Sequence, residues 1–174
     1  LLAIPEDVRY AAIMMLLYPV ESELHFCLIQ RSTYDGQHSG QISFPGGKKE
    51  ETDIDYWATA QRETQEEVGV DPSQVTFLKQ LSPTYIPPSN FYVYPYLAYA
   101  HTRPHFIPEK GEVAKIIEVP LRSLLEETSM KEGPISASYT SEVVVTMFVF
   151  DSCNVWGATA MILAEAREMI LLVK

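Results

Sequence analysis

Short apolar runs that read as strands outnumber helical segments in this chain, and the two longer helices stand far apart, one central and one terminal. Residues 10–18 (YAAIMMLLY) and 24–30 (LHFCLIQ) read as strands joined by PVESE, a hairpin. Further strands are expected at 75–81, 91–100, 114–119 and 141–150. Residues 54–68 read as a helix stopped by Gly69 and insulated by Asp71 and Pro72. Residues 121–127 form a short helical piece, and 157–173 a terminal helix with its apolar residues spaced to bury one face. Residues 34–47 are loop-like around a short apolar QISF. Prolines 83, 87, 88 and 95 make SPTYIPPSNF a shaped loop rather than a strand. Mixed strands with one helix in the middle and one at the end predict an α/β layered fold, a sheet with helices against it. With no internal repeat and no low-complexity linker, all 174 residues read as one domain.

Hydrophobic residues make up 47% and charged residues 21%, the balance of a soluble globular protein. Thirteen basic and 23 acidic residues leave a formal charge of −10, which argues against a nucleic-acid or anionic-membrane partner met by a basic surface. An anionic substrate would need metal ions or a local basic patch to offset that field. Cys27 and Cys153 belong to no CxxC pair, so two thiols in a reducing cytoplasm are expected rather than a zinc site or a disulfide. No apolar run reaches the length of a membrane span. The opening LLAIPEDVRYAAIMMLLY carries charges in its first half and lacks a small-residue cleavage site, so it does not read as a signal peptide. LLVK is not a peroxisomal address, and a cytoplasmic location is expected.

The stretch RETQEEVG, residues 62–69, sets Glu63, Glu66 and Glu67 close together on the central helix. Like charges one turn apart cost a helix roughly 0.2–0.5 kcal/mol per pair. Taken alone, the segment fits a solvated helix face as well as a bound cation. Trp57, Ala60, Gln61, Thr64 and Val68 line one mostly apolar stripe, while Glu63 and Glu67 lie roughly 40° apart on a different side, with Glu66 at their flank. Carboxylates that converge in this way suit a hard cation such as Mg²⁺ or Mn²⁺, which takes oxygen ligands. Just upstream, in FPGGKKEETD, Pro45 stiffens the approach and Gly46 and Gly47 allow a tight turn close to a ligand or metal.

From Gly47 to Val70 the sequence resembles the box of the Nudix hydrolases, G-x5-E-x7-R-E-U-x-E-E-x-G-U, with U bulky and apolar. Arg62, Glu63, Glu66, Glu67, Gly69 and Val70 match position by position. Asp53 stands where the first Glu belongs, eight residues rather than seven separate it from Arg62, and Thr64 replaces an aliphatic residue. A box one residue longer and preceded by FPGG resembles the coenzyme A diphosphatase branch. That branch carries an upstream signature, L-L-T-x-R-[S/A]-x3-R-x3-G-x3-F-P-G-G. Arg31, Ser32, Gly40 and the FPGG at 44–47 fall in register, and His38 sits where that branch often has histidine. Gly36 occupies the place of the second arginine and Ile29 that of the threonine. Weaker likeness extends through SNFYVYPYLAY, GEVAKIIEVPL and VWGATAMIL.

The resemblance implies a Nudix-type α/β/α sandwich with a mixed β-sheet and a loop-helix-loop catalytic motif. It implies hydrolysis, with Mg²⁺ or Mn²⁺, of a nucleoside diphosphate linked to another group. The branch implies coenzyme A or its thioesters as substrate, giving adenosine 3′,5′-bisphosphate and 4′-phosphopantetheine. Glu63 and Glu67 are the expected principal metal ligands, with Glu66 and the Gly47 carbonyl beside them. Arg62 is expected to steer a glutamate through a bidentate pair, and Asp53 to serve the loop or cap the helix. Glu112, in register with a glutamate of the branch, is the candidate base, against a plain exposed carboxylate; Glu118 reads as structural. Arg31 and Lys48 are candidates for substrate phosphates, and Phe91 or Tyr85 for stacking on a base or pantetheine arm. His101 and His105 read as surface residues. The partner is a small nucleotide, with a homodimer left open. Other Nudix substrates such as ADP-ribose or NADH, favoured by Gly36, and a non-enzymatic nucleotide sensor are the alternatives.

Overall fold

The computed structural model of the protein describes residues 4–33, 40–137 and 140–173, so Gly36 and His38 lie outside the described residues. The hairpin forms as expected from β1 (Arg9–Val20) and β2 (Glu23–Arg31), with only Glu21 and Ser22 between the strands. There follow β3 (Ile42–Ser43), β4 (Gly46–Lys48), α1 (Tyr56–Val68), β5 (Val75–Gln80), β6 (Thr84–Ile86), β7 (Phe91–Ala100) and β8 (Val113–Pro120). The chain ends with α2 (Leu121–Leu125), β9 (Met130–Ala137), β10 (Thr140–Phe150), β11 (Cys153–Val155) and α3 (Gly157–Leu171). Eight strands make one mixed sheet along β3–β2–β1–β7–β5, with β4 also paired to β1, β6 to β7 and β8 to β2. β11, β10 and β9 form a second, antiparallel sheet.

β1 is the axis of the large sheet. It runs parallel to β7 from the Arg9–Phe91 pair to the Leu17–Tyr99 pair, and antiparallel to β2 and β4 on its other edge. Successive side chains of a strand point to opposite faces. Ala12, Met14, Leu16 and Tyr18 therefore enter one core with Ala60 and Val68 of α1. Met15 and Leu17 enter the other with Leu124, Phe148, Phe150, Ile162 and Leu163. A strand covered on both faces reads as an unbroken apolar run, which is why YAAIMMLLY shows no alternation. α1 covers one face; α2 and α3 cover the other, where the small sheet joins them.

The middle of the chain corrects one expectation. SPTYIPPSNF is not all loop, because β6 pairs antiparallel with β7, Thr84 opposite Val93 and Ile86 opposite Phe91, before a 3-10 turn at Pro87–Ser89. Pro95 is tolerated within β7 because it falls at the gap between β5 and β6, whose partners there are Tyr96 and Val93. The segment read as loop up to residue 47 likewise contains β3 and the start of β4. β9 and β11 were not anticipated, and Cys153 opens β11. Cys27 and Cys153 are both free thiols. Among the described residues no helix is long and apolar enough to cross a membrane.

Candidate catalytic and metal-binding site

The glutamate-bearing helix is fixed at both ends. Asp55, not Asp53, is the N-cap: its Oδ1 accepts the Ala58 N–H at 2.7 Å, so α1 begins two residues later than its sequence pattern suggested. Ile54, 91% exposed, projects into solvent between the two aspartates. At the other end Gly69 adopts φ +75° and donates its N–H to the Gln65 carbonyl at 2.9 Å, a left-handed C-terminal stop. The chain after β7 then docks on this end, with the N–H groups of Ile107 and Glu109 donating to the carbonyls of Val68 and Glu67, both at 2.9 Å. Thr64 stands in the buried stripe without penalty because its hydroxyl donates to the Ala60 carbonyl at 2.7 Å.

Arg62 corrects a second expectation. Its bidentate partner is Asp53 rather than a glutamate: Nε donates to Oδ1 and Nη2 to Oδ2, each at 3.0 Å. Asp53 is buried and also accepts the Glu50 N–H and the Thr59 hydroxyl, both at 2.9 Å. The Arg62 bonds hold the Asp53 carboxyl down at about 2, and Asp53 in turn raises the Arg62 guanidinium. The rest of the guanidinium spans the loop and the helix. Nη2 reaches the Lys48 carbonyl at 3.0 Å, and Nη1 reaches Glu63 at 2.9 Å and Glu66 at 3.0 Å. Glu66 is mostly exposed.

Glu67 lies off the apolar stripe, where the 100° projection put it, and is nonetheless 2% exposed. Its Oε2 accepts the Gly46 N–H at 2.8 Å and its Oε1 meets Arg31 Nη1 at 3.4 Å. Burial pushes its carboxyl up to about 7, against those two bonds, and the charges of Glu63 and Glu112 push the same way. Glu63 is also raised, first by burial, with Arg62 opposing and Glu66 and Glu112 adding. Glu112 itself is exposed on the strand-entry loop, where its carbonyl accepts the Ser32 N–H at 2.8 Å and its N–H bonds Glu109 at 2.7 Å. The carboxylates of Glu63 and Glu67 thus meet the same strand, Glu63 over Gly47 and Glu67 at the Gly46 N–H.

Gly47 completes this arrangement. A Cβ built there would come within 2.6 Å of the Glu63 carboxylate oxygens, so only a glycine leaves room for that group over the strand. Among the described residues no three acidic, His or Cys side chains are already closed around one point. The donors nonetheless fit a hard divalent cation: they are all oxygens, mutually repelling, and gathered at a cradle that a side chain at 47 would fill.

A cleft of about 340 Å³ opens on the α3 side of the sheet, and β4 separates it from the glutamates. Arg31, Gly46 and Gly47 belong to both, lining the cleft and meeting or adjoining the carboxylates. Arg31 and Lys48 bring positive charge to this boundary, and Phe91 lines the wall with the Arg9 guanidinium 4.2 Å over its ring. Tyr85 is tied to Asn90, its hydroxyl donating to Oδ1 at 3.0 Å. Glu118 takes a fork from Arg103 at 2.9 and 2.6 Å, consistent with a structural part, and His101 and His105 are exposed. Sequence reasoning missed Trp156, which reaches the cleft from the start of α3; its signal was the VWGATA stretch, noted only for its likeness.

A sheet sandwiched between helices, carrying a capped helix of three glutamates over a Gly-Gly strand beside a cleft, defines an α/β sandwich with a candidate site where β4 meets α1. The Nudix domain model matches residues 8–139, and the chain belongs to the Nudix family. It is 32% identical over 169 residues to Nudix hydrolase 15, mitochondrial, of Arabidopsis thaliana, covering 92% of this chain and 58% of that protein. It is also 32% identical over 164 residues to the Nudix hydrolase NudL of Pectobacterium atrosepticum, covering 93% and 83%. The chain thus spans little more than half the length of the Arabidopsis relative. The Nudix hydrolase RenU of M. Smegmatis shares the fold at a TM-score of 0.64 and 14% identity, over 95% of this chain and 88% of that one.

Proposed function

We propose that this chain is a diphosphatase that uses Mg²⁺ or Mn²⁺ to hydrolyse coenzyme A or its thioesters. The observation that carries the reading is Glu63 resting over Gly47 and Glu67 bonded to the Gly46 N–H, with Arg31 and Lys48 on the cleft side of the same strand. Glu63, Glu67, Glu66 and the Gly47 carbonyl are the metal ligands. When bound, the cation polarises phosphoryl oxygens and acidifies water. Arg31 and Lys48 hold the diphosphate at the boundary between cleft and carboxylates. Arg62, fixed by Asp53, orients Glu63 and Glu66. Glu112 takes the proton of the attacking water. The new bond joins that water oxygen to phosphorus as the bridging P–O bond breaks, and the two products are adenosine 3′,5′-bisphosphate and 4′-phosphopantetheine. Support for coenzyme A lies in the FPGG-preceded, lengthened box.

The second reading is a Nudix enzyme for ADP-ribose or NADH, favoured by Gly36 where the coenzyme A signature has arginine. Residues 1–174 serve either reading as one domain, since α3 packs into the same core as β1. A cytoplasmic site goes with the two free thiols; the Arabidopsis relative is named mitochondrial, which makes an organelle the alternative. A homodimer is tested by light scattering.

Product analysis by mass spectrometry, with Mg²⁺ or Mn²⁺ and with coenzyme A, ADP-ribose and NADH in parallel, tests the proposal. Metal-dependent release of 4′-phosphopantetheine, lost in Glu67→Gln with the fold intact, is expected. Faster cleavage of ADP-ribose or NADH would move the assignment to the second reading. Turnover unchanged in Glu67→Gln would overturn the metal assignment, and no turnover of any substrate would favour a nucleotide-sensing role.

A further inference from the structure

Of the large aromatic side chains lining the cleft, Phe44 and Trp156 pack against no other ring and carry no cation over their faces among the described residues, and of these two only Trp156 is open to the cleft, since Phe44 is 2% exposed. The other tryptophan of the chain, Trp57, is held edge-on between Phe77 and Tyr96, both at 5.4 Å, on the α1 side of the sheet. Trp156 is only half-buried, yet its backbone is firmly placed. It follows the buried Val155 of β11 in an extended conformation, φ −136° and ψ −179°, as the residue that opens α3. The first turn of that helix is pinned to β3, because the Thr159 hydroxyl donates to the Ile42 carbonyl at 3.2 Å. A rigidly mounted indole without a ring partner is a stacking platform.

Two further features of the same cleft agree. Phe91 has one face occupied by Arg9 and lines the wall with its ring. The cleft volume, about 340 Å³, suits a nucleoside rather than an entire dinucleotide.

We infer that Trp156 is a specificity-determining residue that stacks on the nucleobase of the substrate. The inference rests on the reading of the site as one for a nucleoside diphosphate derivative, and it orients that substrate. The nucleoside lies in the cleft against α3, the diphosphate crosses β4 at Arg31 and Gly47, and the leaving arm points away from α3.

The test separates stacking from chemistry. In Trp57→Phe, Trp156 is the only indole, and its fluorescence is titrated with adenosine and, separately, with 4′-phosphopantetheine, both without metal. Saturable quenching by adenosine and none by phosphopantetheine is expected. No quenching by adenosine at millimolar concentration, or quenching by phosphopantetheine alone, would overturn the inference. Because adenosine carries neither phosphate nor metal, this readout stands even if the diphosphatase reading fails; metal-dependent turnover tests that reading separately. In the otherwise native chain, Trp156→Leu is expected to raise KM roughly fivefold or more with kcat within about twofold, and Trp156→Phe to restore KM. A fall in kcat alone, with KM unchanged, would mark a structural role and count against stacking.

Discussion

Arg62 grips Asp53, nine positions earlier in the chain, with two bonds of 3.0 Å, and so ties the loop after β4 to the middle of α1. The same guanidinium holds Glu63 and Glu66 with its remaining nitrogen, so the loop aspartate sets where two helix carboxylates rest.

Asp53→Asn should therefore be costly for its size. Loss of the charged fork is expected to lower stability by about 1.5–3 kcal/mol in urea denaturation at pH 7. The Asp53 carboxyl titrates at about 2 in the folded chain against an ordinary 3.8, so its stabilisation is full above pH 4 and disappears as pH falls through about 2. Denaturation of wild type and variant across that window should show the difference shrink to nothing at the acid end.

The sign is opposite for Glu67. Its folded value of about 7 lies above the ordinary 4.5, so the metal-free protein holds a proton that the unfolded chain releases. Stability in the presence of chelator should be highest below pH 4.5 on account of this group, and fall as pH rises from about 4.5 to about 7. Thermal melts should show added Mn²⁺ raising Tm more at pH 7.5 than at pH 5.5. Glu67→Gln should flatten both dependences.

Gly47→Ala tests the cradle. The added methyl would sit within 2.6 Å of the Glu63 carboxylate and must displace it. Misplacing a catalytic group by about an ångström costs on the order of 100-fold in rate. We expect kcat to fall by about 10- to 100-fold with Tm nearly unchanged, measured on whichever substrate the product analysis identifies.

Gly69→Ala tests the helix stop. At φ +75° a side chain costs about 1–2 kcal/mol, and its Cβ would lie 3.0 Å from the Ile107 side chain. Chemical denaturation should register a loss of at least that size. Exchange of the amide of Ile107, which bonds the Val68 carbonyl, should quicken.

The legible parts of this molecule were those governed by near neighbours in sequence. The apolar run of β1, the helix carrying Glu63 and Glu67, and the stop at Gly69 each depend on residues within a turn or a strand of one another. Contacts across longer distances were not legible in the same way. Asp53 read as serving the loop or capping the helix because a capping aspartate two residues later competes for the second role, and only the folded loop shows which one faces Arg62. Glu67 projected off the apolar stripe of α1, and nothing local showed that β4 crosses over it and buries it. β6 was hidden because prolines mark turns, and a three-residue strand that pairs only with β7 leaves little periodicity to detect. Trp156 carries no local sign of a cleft, since the opposite wall comes from residues more than sixty positions earlier.

The parallel seam between β1 and β7 has a consequence for biosynthesis. Arg9 and Ser89, which bond at 2.5 Å, are 80 positions apart. Such a seam closes only after the intervening chain has been made, and contacts of long span form late. The acidic helix thus leaves the ribosome before the strand that anchors its sheet, and α3, with Trp156 at its head, leaves after both. A chain stalled short of α3 would already hold Glu63, Glu67 and Glu112 but lack the cleft wall that Trp156 forms. On the proposed reading, such a nascent fragment should take up cations without consuming substrate until α3 has emerged.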